Sequence, residues 1–553
     1  MREPPRGAEA TIDQRLSDLD RRVAHGTLEG IAERDALRPE YERIAADYLL
    51  LREKRGGSQY LGLKVLRTLD VLRSRDIAVQ GVRFAAIGPY TRRPWLDTQC
   101  GHSHTVHPRS GQLVEATRAM RRSLHPFPMV SEPPADTAGI DLIIQDASGT
   151  DILDLSRVLV LHLGFVGDDL LVALDSNLEV FFYGRDAVHT DRRVRWEAFK
   201  EYSYEPLSLE PERLVFGPIR RPGTRTKLLR QAQRLHGLFD ADPEASPTPG
   251  FFRSIMDEVE KTIGYPHLID SLQEWANSRG WSLRDICLVI LPDEALFTLP
   301  LSFLGASSGE PLITRLGGVS IALSLVALKW AAKDYHWYTS PNLSAGTPRC
   351  VLFAVPGDGE RTLDLQGEIA GVSAGFGAGN CMVVSNPSRA DFSFYYSAGD
   401  VCWFAGHGEY APSRGLMMND TVIPFALTGP VFADAPLTNL DLIATSNWNF
   451  KALWLSVMNT CLLGRSLLVG SNPLGFVSAL YSVGSIASVG ALWPVDNTAA
   501  TGFAGNLAAQ IPPNFHGRDF PRARAVSEAL RKAIGGDRER QWFFAPYSLW
   551  GLP

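Results

Sequence analysis

The feature that most constrains this chain is a series of short, continuously apolar segments after residue 250, separated by helical patterns. The segments are rich in β-branched and aromatic residues, as is typical of buried strands. They lie at 286–291, 350–355, 400–405, 452–458 and 485–489. Helical patterns lie around 251–275 and 363–372. This alternation predicts an α/β fold with a mostly parallel sheet that is flanked by helices on both faces.

Two of the strand ends carry residues that suit thiol chemistry. His407 follows the segment at 400–405 and is flanked by glycines, and Cys461 follows the segment at 452–458. Working residues of parallel sheets collect at the carboxyl ends of strands, so neighbouring strands would bring the imidazole and the thiol to one edge. A nearby imidazole lowers the thiol pKa from its usual ~8.5 and exchanges protons near neutral pH. The N–H groups of Gly408 and Cys461 would then hold a developing oxyanion.

Each of these residues also has a structural explanation. A histidine beside glycine can serve the backbone alone, and a cysteine after an apolar strand is commonly a buried core thiol. Their joint placement at two strand ends favours the catalytic interpretation.

Five segments resemble, in the correct order, the motifs of CHAT domains, the caspase-like modules related to caspases, separase and gingipains. They are LPDEALFTLPL at 291–301, FAGHG at 404–408, NTCLLG at 459–464, ALWPVD at 491–496 and FAPYSLWG at 544–551. The resemblance covers roughly half of the chain. It implies a caspase-like cysteine protease of clan CD, with His407 and Cys461 as the catalytic dyad. The chain departs from the family pattern at Leu462, Leu463 and Asn497.

Asp496 has two possible roles. In related proteases an acidic residue after this strand lines the pocket for the side chain that precedes the scissile bond. A carboxylate there would bind substrate and select arginine or lysine. Alternatively, Asp496 or Asn497 caps a helix that begins near Thr498. The sequence leaves both roles open.

Two other patterns suggest different chemistry. The segment at 371–375 fits G-x-S-x-G and would suit a serine esterase centred on Ser373, but residues 363–370 are predicted as helix, whereas a nucleophile elbow follows a strand. A dense set of potential zinc ligands consists of Cys100, His102, His104 and His107. Ligands this close in one loop rarely converge on one ion, and a second ligand cluster is missing. A solvated polar loop is the favoured interpretation, and no metal is predicted.

The first 250 residues have a different pattern from the rest. Apolar spacing at 12–23 and at 41–51 predicts a helical hairpin, and proline-rich segments at 131–136 and 240–250 resemble linkers. The predicted domains are a helical N-terminal region at 1–80, a mixed strand-rich middle domain at 81–240 and the CHAT caspase-like domain at 250–553.

Composition bears on partners and on compartment. The formal net charge of −6 gives no reason to expect nucleic acid as a partner. The six cysteines are scattered, which fits a reducing compartment better than a disulfide scaffold. Neither a signal peptide nor an uninterrupted apolar run of ~18 residues is found, so no membrane partner is expected. These observations predict a cytoplasmic protein.

Together, these features predict a cysteine endopeptidase that cleaves a protein substrate through a Cys-His dyad and needs no cofactor. The resemblance implies a regulated protease of bacterial defence or cell death, acting for example on a gasdermin-like target. By analogy, residues 1–250 would bind a regulatory protein partner. The alternative is a catalytically silent scaffold with the caspase fold, which Leu462 and Leu463 leave open.

Overall fold

The structure of the 553-residue chain is a computed structural model. It describes residues 7–22, 36–72, 155–178, 211–241 and 248–553, the last range with gaps. The gaps lie at 326, 329–330, 332–346, 358–361, 378, 397, 413–415, 419–420, 424–425, 440–441, 443–452, 465, 470–471, 483–484 and 518.

The described part of the chain contains both helices and strands. The helices are α1 (Gly7–Arg21), α2 (Arg38–Lys54), α3 (Gln59–Val71), α4 (Arg225–Ala241), α5 (Pro249–Ile263), α6 (Tyr265–Asn277), α7 (Leu312–Arg315), α8 (Gln366–Phe376), α9 (Arg389–Tyr395), α10 (Phe476–Ser482), α11 (Asn497–Asn514), α12 (Pro521–Ile534) and α13 (Gln541–Phe544). The strands are β1 (Val158–Val166), β2 (Asp169–Asp175), β3 (Leu214–Arg221), β4 (Cys287–Leu291), β5 (Gly318–Ile321), β6 (Cys350–Ala354), β7 (Cys381–Ser385), β8 (Val401–Ala405), β9 (Gly408–Pro412), β10 (Leu416–Met418), β11 (Thr421–Ile423), β12 (Ala426–Pro430), β13 (Leu455–Asn459), β14 (Ser466–Val469), β15 (Asn472–Gly475), β16 (Ala487–Ala491) and β17 (Tyr547–Gly551).

Eleven strands form one sheet in the order β3-β2-β1-β4-β5-β17-β16-β13-β8-β6-β7. The strands from β1 to β17 in that order are parallel to one another, and so are those from β16 to β7. The β16–β17 pair is antiparallel and therefore divides the sheet into two halves that run in opposite directions. The strand ends lie along two opposite sides of the sheet. We call the side at which β8 and β13 have their carboxyl ends edge A, and the side at which β4 has its carboxyl end edge B. The predicted mostly parallel α/β fold is confirmed.

Strand β8 shows how the sheet is buried on both faces. Because successive side chains of a strand point to opposite faces, Trp403 and Phe404 belong to different hydrophobic cores. The core around Trp403 includes Phe503 of α11, and the core around Phe404 includes Phe392 of α9. Every residue of β8 is buried, which explains why the strand is a continuous apolar run in the sequence.

Small residues allow helices α8 and α11 to pack closely. A Cβ atom on Gly371 would lie 3.2 Å from the Cα of Gly505, and one on Gly375 would lie 2.6 Å from the carbonyl carbon of Ala508. Ser373 lies on the same helix α8 and not on the strand-to-helix turn that a nucleophile elbow requires. The glycines of the G-x-S-x-G pattern therefore serve helix packing.

The helical pattern predicted at 251–275 is two helices rather than one. Helix α5 ends at Ile263, and Gly264 adopts a left-handed backbone with φ +83° before α6 begins. Pro266, in the first turn of α6, has no N–H with which to continue the earlier helix. The prediction of a single helix is wrong at this position.

Residues before 250 complete the sheet instead of standing apart from it. Strand β1 pairs with β4, and β2 and β3 extend the sheet beyond β1. The sheet therefore continues across the domain boundary predicted at 240–250. Helices α1 and α2 lie where the hairpin is predicted, α3 is an additional helix, and all three pack on a core that includes Leu171 of β2. The linker predicted at 131–136 lies outside the described residues.

A buried ionic cluster joins α2 to the loop that follows β4 at edge B. Arg38 donates to Asp293 Oδ2 at 2.8 Å and to Glu42 Oε1 at 2.7 Å. The N–H of Phe165 donates to Asp293 Oδ2 at 2.9 Å. Burial alone would lower the pKa of Arg38, but the charges of Asp293, Glu294 and Glu42 raise it. We call this group the Arg38 cluster, which consists of Arg38, Glu42, Arg225, Asp293 and Glu294.

Candidate active site

His407 and Cys461 follow two neighbouring parallel strands at corresponding positions. Strand β8 pairs with β13 so that Ala405 lies opposite Asn459, and these are the last residues of their strands. His407 and Cys461 each come two residues later, and both are partly buried. Neighbouring strands are about 4.8 Å apart, so the two chain segments leave edge A side by side.

Gly408 brings these two segments into contact. A Cβ atom at this position would overlap the carbonyl oxygen of Cys461, so only glycine permits the approach. Gly408 also begins β9, where the N–H of Val431 donates to the carbonyl of His407 at 2.9 Å. That bond makes Gly408 and Pro430 a non-hydrogen-bonded pair of the β9–β12 ladder. The ladder therefore does not use the N–H of Gly408.

The sulfur of Cys461 lies against the loop that follows β16. The N–H of Val495 in this loop donates to the sulfur at 3.4 Å. Burial raises the pKa of the Cys461 thiol, and the N–H groups of Val495 and of Cys461 itself oppose this effect. The next residue, Leu462, has φ +68°, a left-handed conformation that is uncommon for residues other than glycine and occurs often at functional sites. The chain thus turns sharply at the thiol.

A buried hydrogen-bonded network supports the end of β13 next to this turn. Asn459 Nδ2 donates to Glu368 Oε1 at 2.7 Å, and the hydroxyl of Tyr547 donates to Asn459 Oδ1 at 2.6 Å. Trp403 Nε1 donates to the same oxygen of Glu368 at 3.0 Å. Burial raises the pKa of the Glu368 carboxyl to about 7, although the hydrogen bonds from Asn459 and Trp403 oppose the rise. The network links α8 to β8, β13 and β17, and it fixes Asn459, which lies two residues before Cys461.

Asp496 caps helix α11. Its Oδ1 accepts a hydrogen bond from the N–H of Ala499 at 3.0 Å, and its side chain is exposed. The helix begins at Asn497, one residue before the predicted start near Thr498. Asp496 also directly follows Val495, whose N–H contacts the sulfur. The capping role is therefore observed, and the substrate-binding role of Asp496 stays a prediction.

The described ranges contain neither a candidate group of metal ligands nor a helix suited to crossing a membrane. Within them, no group of three or more histidine, cysteine, aspartate or glutamate residues is arranged to hold a metal ion. The cluster of Cys100, His102, His104 and His107 lies outside these ranges. None of the described helices combines the length and the apolar character that crossing a membrane requires.

Sequence reasoning missed several residues around the thiol. Asn459 and Val495 lie within two of the motif segments, but the sequence does not indicate what they contact. Tyr547 lies in the last motif and looks like an ordinary strand residue. Glu368 has no sequence signal, since a glutamate in a helix is normally exposed. Their roles depend on contacts between distant parts of the chain.

The fold and the site define an α/β protein that holds a thiol and an imidazole beyond the ends of two neighbouring parallel strands. Residues 265–551, just over half of the chain, match the CHAT domain. The chain belongs to the CHAT domain family, and the predicted family is confirmed. No curated protein sequence matches the chain.

Solved structures with a related fold include two kinds of protein. The Arg-specific cysteine proteinase gingipain R (RgpB) of Porphyromonas gingivalis is 12% identical with a TM-score of 0.37, and the match covers 51% of this chain and 67% of that one. The separase–securin complex of Saccharomyces cerevisiae is 10% identical with a TM-score of 0.43, and the match covers 99% of this chain and 37% of that one. At these values the likeness carries no argument about activity.

Proposed function

We propose that this chain is a cysteine endopeptidase in which Cys461 is the nucleophile and His407 transfers the protons. The observation that carries the proposal is the register of β8 and β13, in which Ala405 lies opposite Asn459. Both reactive residues follow their strands by two positions at the same edge of the sheet. Membership of the CHAT family supports the assignment to a cysteine protease class.

The proposed reaction begins with a neutral thiol. Because burial raises the pKa of Cys461, the resting sulfur is protonated near neutral pH, and His407 must act as a general base. The thiolate adds to the carbonyl carbon of the peptide, and the oxyanion is held by the N–H groups of Gly408 and Cys461. The freedom of the Gly408 N–H from the β9–β12 ladder supports this role.

The second half of the reaction releases two products. His407 gives the proton to the leaving amine as the carbon–nitrogen bond breaks, which leaves an acyl group on Cys461. A water molecule, deprotonated by His407, then attacks the thioester carbon. The carbon–sulfur bond breaks, the carboxylic acid product leaves, and His407 returns the proton to the sulfur of Cys461. The reaction as written uses no cofactor.

The experiment that tests the dyad is site-specific labelling with an iodoacetamide probe, read by mass spectrometry. Cys461 should be labelled in the wild type and much less in His407→Ala. Cys381 is also a partly buried free thiol and serves as the internal control, since its labelling should not depend on His407. Equal labelling of Cys461 in both proteins would contradict the dyad.

Cleavage of a peptide library then tests the reaction itself. The wild type should cleave a subset of peptides, and Cys461→Ala should cleave none. A catalytically silent scaffold, the alternative function, would give no cleavage by either protein together with labelling of Cys461 that does not depend on His407. A serine esterase centred on Ser373 is disfavoured because that residue lies within helix α8.

The same library tests whether Asp496 selects a basic residue before the scissile bond. Its exposed carboxylate next to Val495 supports the proposal. Asp496→Ser keeps a side-chain oxygen that can cap α11 and removes only the charge. A preference for arginine or lysine in the wild type should therefore disappear in Asp496→Ser. No basic preference in the wild type would rule out this role.

We also propose a regulated role in bacterial defence or cell death in the cytoplasm, with a gasdermin-like protein as substrate and a regulatory protein bound by residues 1–250. This part of the proposal depends on the family resemblance alone. Co-expression with a gasdermin tests it. The wild type should produce a shortened gasdermin and Cys461→Ala should not, whereas intact gasdermin in both cultures would argue against this substrate.

A further inference from the structure

A cavity of about 550 Å³ lies away from His407 and Cys461. Arg284 and Arg315 line it and come shortly before β4 and β5, so the cavity lies beyond the amino ends of these strands. These amino ends are at edge A, since β4 and β5 run opposite to β8 and β13. Three or four strand spacings separate them from β13, which corresponds to about 15–20 Å along the sheet.

The wall of the cavity is strongly positive. Four arginines line it, Arg284, Arg315, Arg531 and Arg538, together with one carboxylate, that of Glu310. Arg315 and Glu310 form an ion pair. Within the described part of the chain, the other three arginines form no ion pair, although the whole chain has a net charge of −6. Like charges gathered around one cavity repel one another unless an anion lies between them.

Arg531 shows that this charge lacks a partner. Its Nη2 donates to the carbonyl of Leu316 at 3.1 Å, while its Nε is buried and has no hydrogen-bond partner among the residues that the structure describes. Burial and the charge of Arg284 lower the pKa of Arg531 to about 10, and Glu528 opposes the change. A buried N–H normally has an acceptor, and the described residues do not supply one for this Nε.

The loop that contains Gly309 positions Arg538. A Cβ atom on Gly309 would overlap the guanidinium of Arg538, and Gly309 has φ +92°, a conformation that favours glycine. Gln541 Nε2 donates to the carbonyl of Gly309 at 2.9 Å and holds this loop against α13. The guanidinium of Arg538 therefore occupies space that the side chain of any residue larger than glycine at position 309 would fill.

We propose that this cavity binds a small molecule that carries phosphate groups. Guanidinium groups form paired hydrogen bonds with phosphate oxygens and keep their charge at physiological pH. The cavity volume lies within the range of small-molecule sites. Arg284, Arg531 and Arg538, which line the cavity, would contact the phosphate groups. The proposal does not depend on the protease activity.

Isothermal titration calorimetry of the full chain tests the site, with inorganic pyrophosphate and ATP as probes at constant ionic strength. Saturable one-site binding is expected for at least one probe. Arg531→Gln and Arg538→Gln should each weaken it at least tenfold. Arg538 is exposed, so its substitution should leave the melting temperature unchanged and provides a variant that folds. Arg230→Gln, an exposed arginine of α4 outside the cavity, should bind as the wild type does.

Three outcomes would overturn the proposal. The first is the absence of saturable binding of either probe. The second is an equal loss of binding in Arg230→Gln, which would indicate general charge attraction rather than a site. The third is a phosphoserine peptide that binds at least tenfold more tightly than both small probes, which would make the cavity a docking site for a phosphorylated protein.

Discussion

The residues that follow the strand ends at edge A and at edge B differ in burial and in the contacts that they make. At edge B, Asp293 follows β4, is 1% exposed, and accepts hydrogen bonds from Arg38 and from the N–H of Phe165. At edge A, Cys461 follows β13 and is partly exposed. Its carbonyl oxygen is approached closely by Gly408, and the next residue, Leu462, has a left-handed backbone conformation. A carboxylate held by several fixed partners stabilises a fold, whereas a partly exposed thiol on a sharp turn can change partners during a reaction. Position at a strand end alone does not distinguish these two cases.

The largest expected effect is on activity at edge A. Cys461→Ala should lower peptide cleavage by at least about a thousandfold, because the nucleophile is lost. The free energy of unfolding should change by less than about 1 kcal/mol, because the site is only partly buried. Cleavage assays and urea unfolding measure both, with Cys381→Ala as the control. A large loss of stability without a loss of cleavage would indicate that Cys461, like Asp293 at edge B, has a structural role.

At edge B, the expected effect is on stability. Arg38→Met removes the guanidinium that pairs with the buried carboxylate of Asp293 and leaves Glu42 with Arg225 alone, which should destabilise the fold by about 3–5 kcal/mol. Urea unfolding of the full chain measures the change. Arg43→Met, at an exposed position of the same helix, should cost less than about 0.5 kcal/mol. Similar small effects of both substitutions would show that the Arg38 cluster is not structural.

Glu368 is a buried carboxyl group near edge A that has hydrogen bonds but, among the residues that the structure describes, no cationic partner such as edge B provides. Burial raises its pKa from an ordinary 4.5 to about 7, so the folded state holds its proton more tightly than the unfolded chain. The stabilisation is complete below pH 4.5 and is lost as the pH rises to about 7, a change of about 3 kcal/mol. Glu368→Gln should remove this loss.

The measurement is the free energy of unfolding of both proteins at pH 5 and at pH 8. The free energy of unfolding of Glu368→Gln, relative to that of the wild type, should increase by about 2–3 kcal/mol from pH 5 to pH 8. Glu258→Gln, at an exposed position of α5, should not alter the pH profile. A parallel profile for the wild type and Glu368→Gln would mean that Glu368 titrates at its ordinary pKa.

The smallest expected effect concerns the exposed carboxylate of Asp496. Asp496→Ala removes the N-cap of α11 and should cost about 1 kcal/mol, whereas Asp496→Ser should cost much less. Thermal or urea unfolding compares them. If the two variants are equally stable, the hydrogen bond to Ala499 contributes nothing measurable.

The sequence predicted the strands that lead to the site more fully than it predicted their surroundings. Strands β8 and β13 are buried on both faces, so each is a continuous apolar run that can be recognised locally. The motifs around His407 and Cys461 then indicated the family. Each of these signals is contained in a few consecutive residues, which is why it could be found without coordinates.

Other features could not be predicted, because they depend on pairing between distant segments. The reversal between β16 and β17 places Ala491 opposite Tyr547, and without it β4 would be expected to end at the same edge as β13. Arg38 and Asp293 are 255 residues apart, and an arginine in an amphipathic helix is normally predicted to be exposed. Burial of such groups is decided by tertiary packing alone.

The pairing of β1 with β4 has a consequence for any movement of the N-terminal part of the chain. The N–H of Cys287 donates to the carbonyl of Arg157 at 2.9 Å, and five residue pairs join the two strands. Strands β1, β2 and β3 are therefore not a flap that can swing aside, since moving them would break main-chain hydrogen bonds and expose the unpaired side of β4, which favours aggregation. Within the described part of the chain, one continuous sheet connects β1 to β13, the strand that Cys461 follows. Slow amide exchange in β4 would fit this view, and fast exchange would show that the two strands separate.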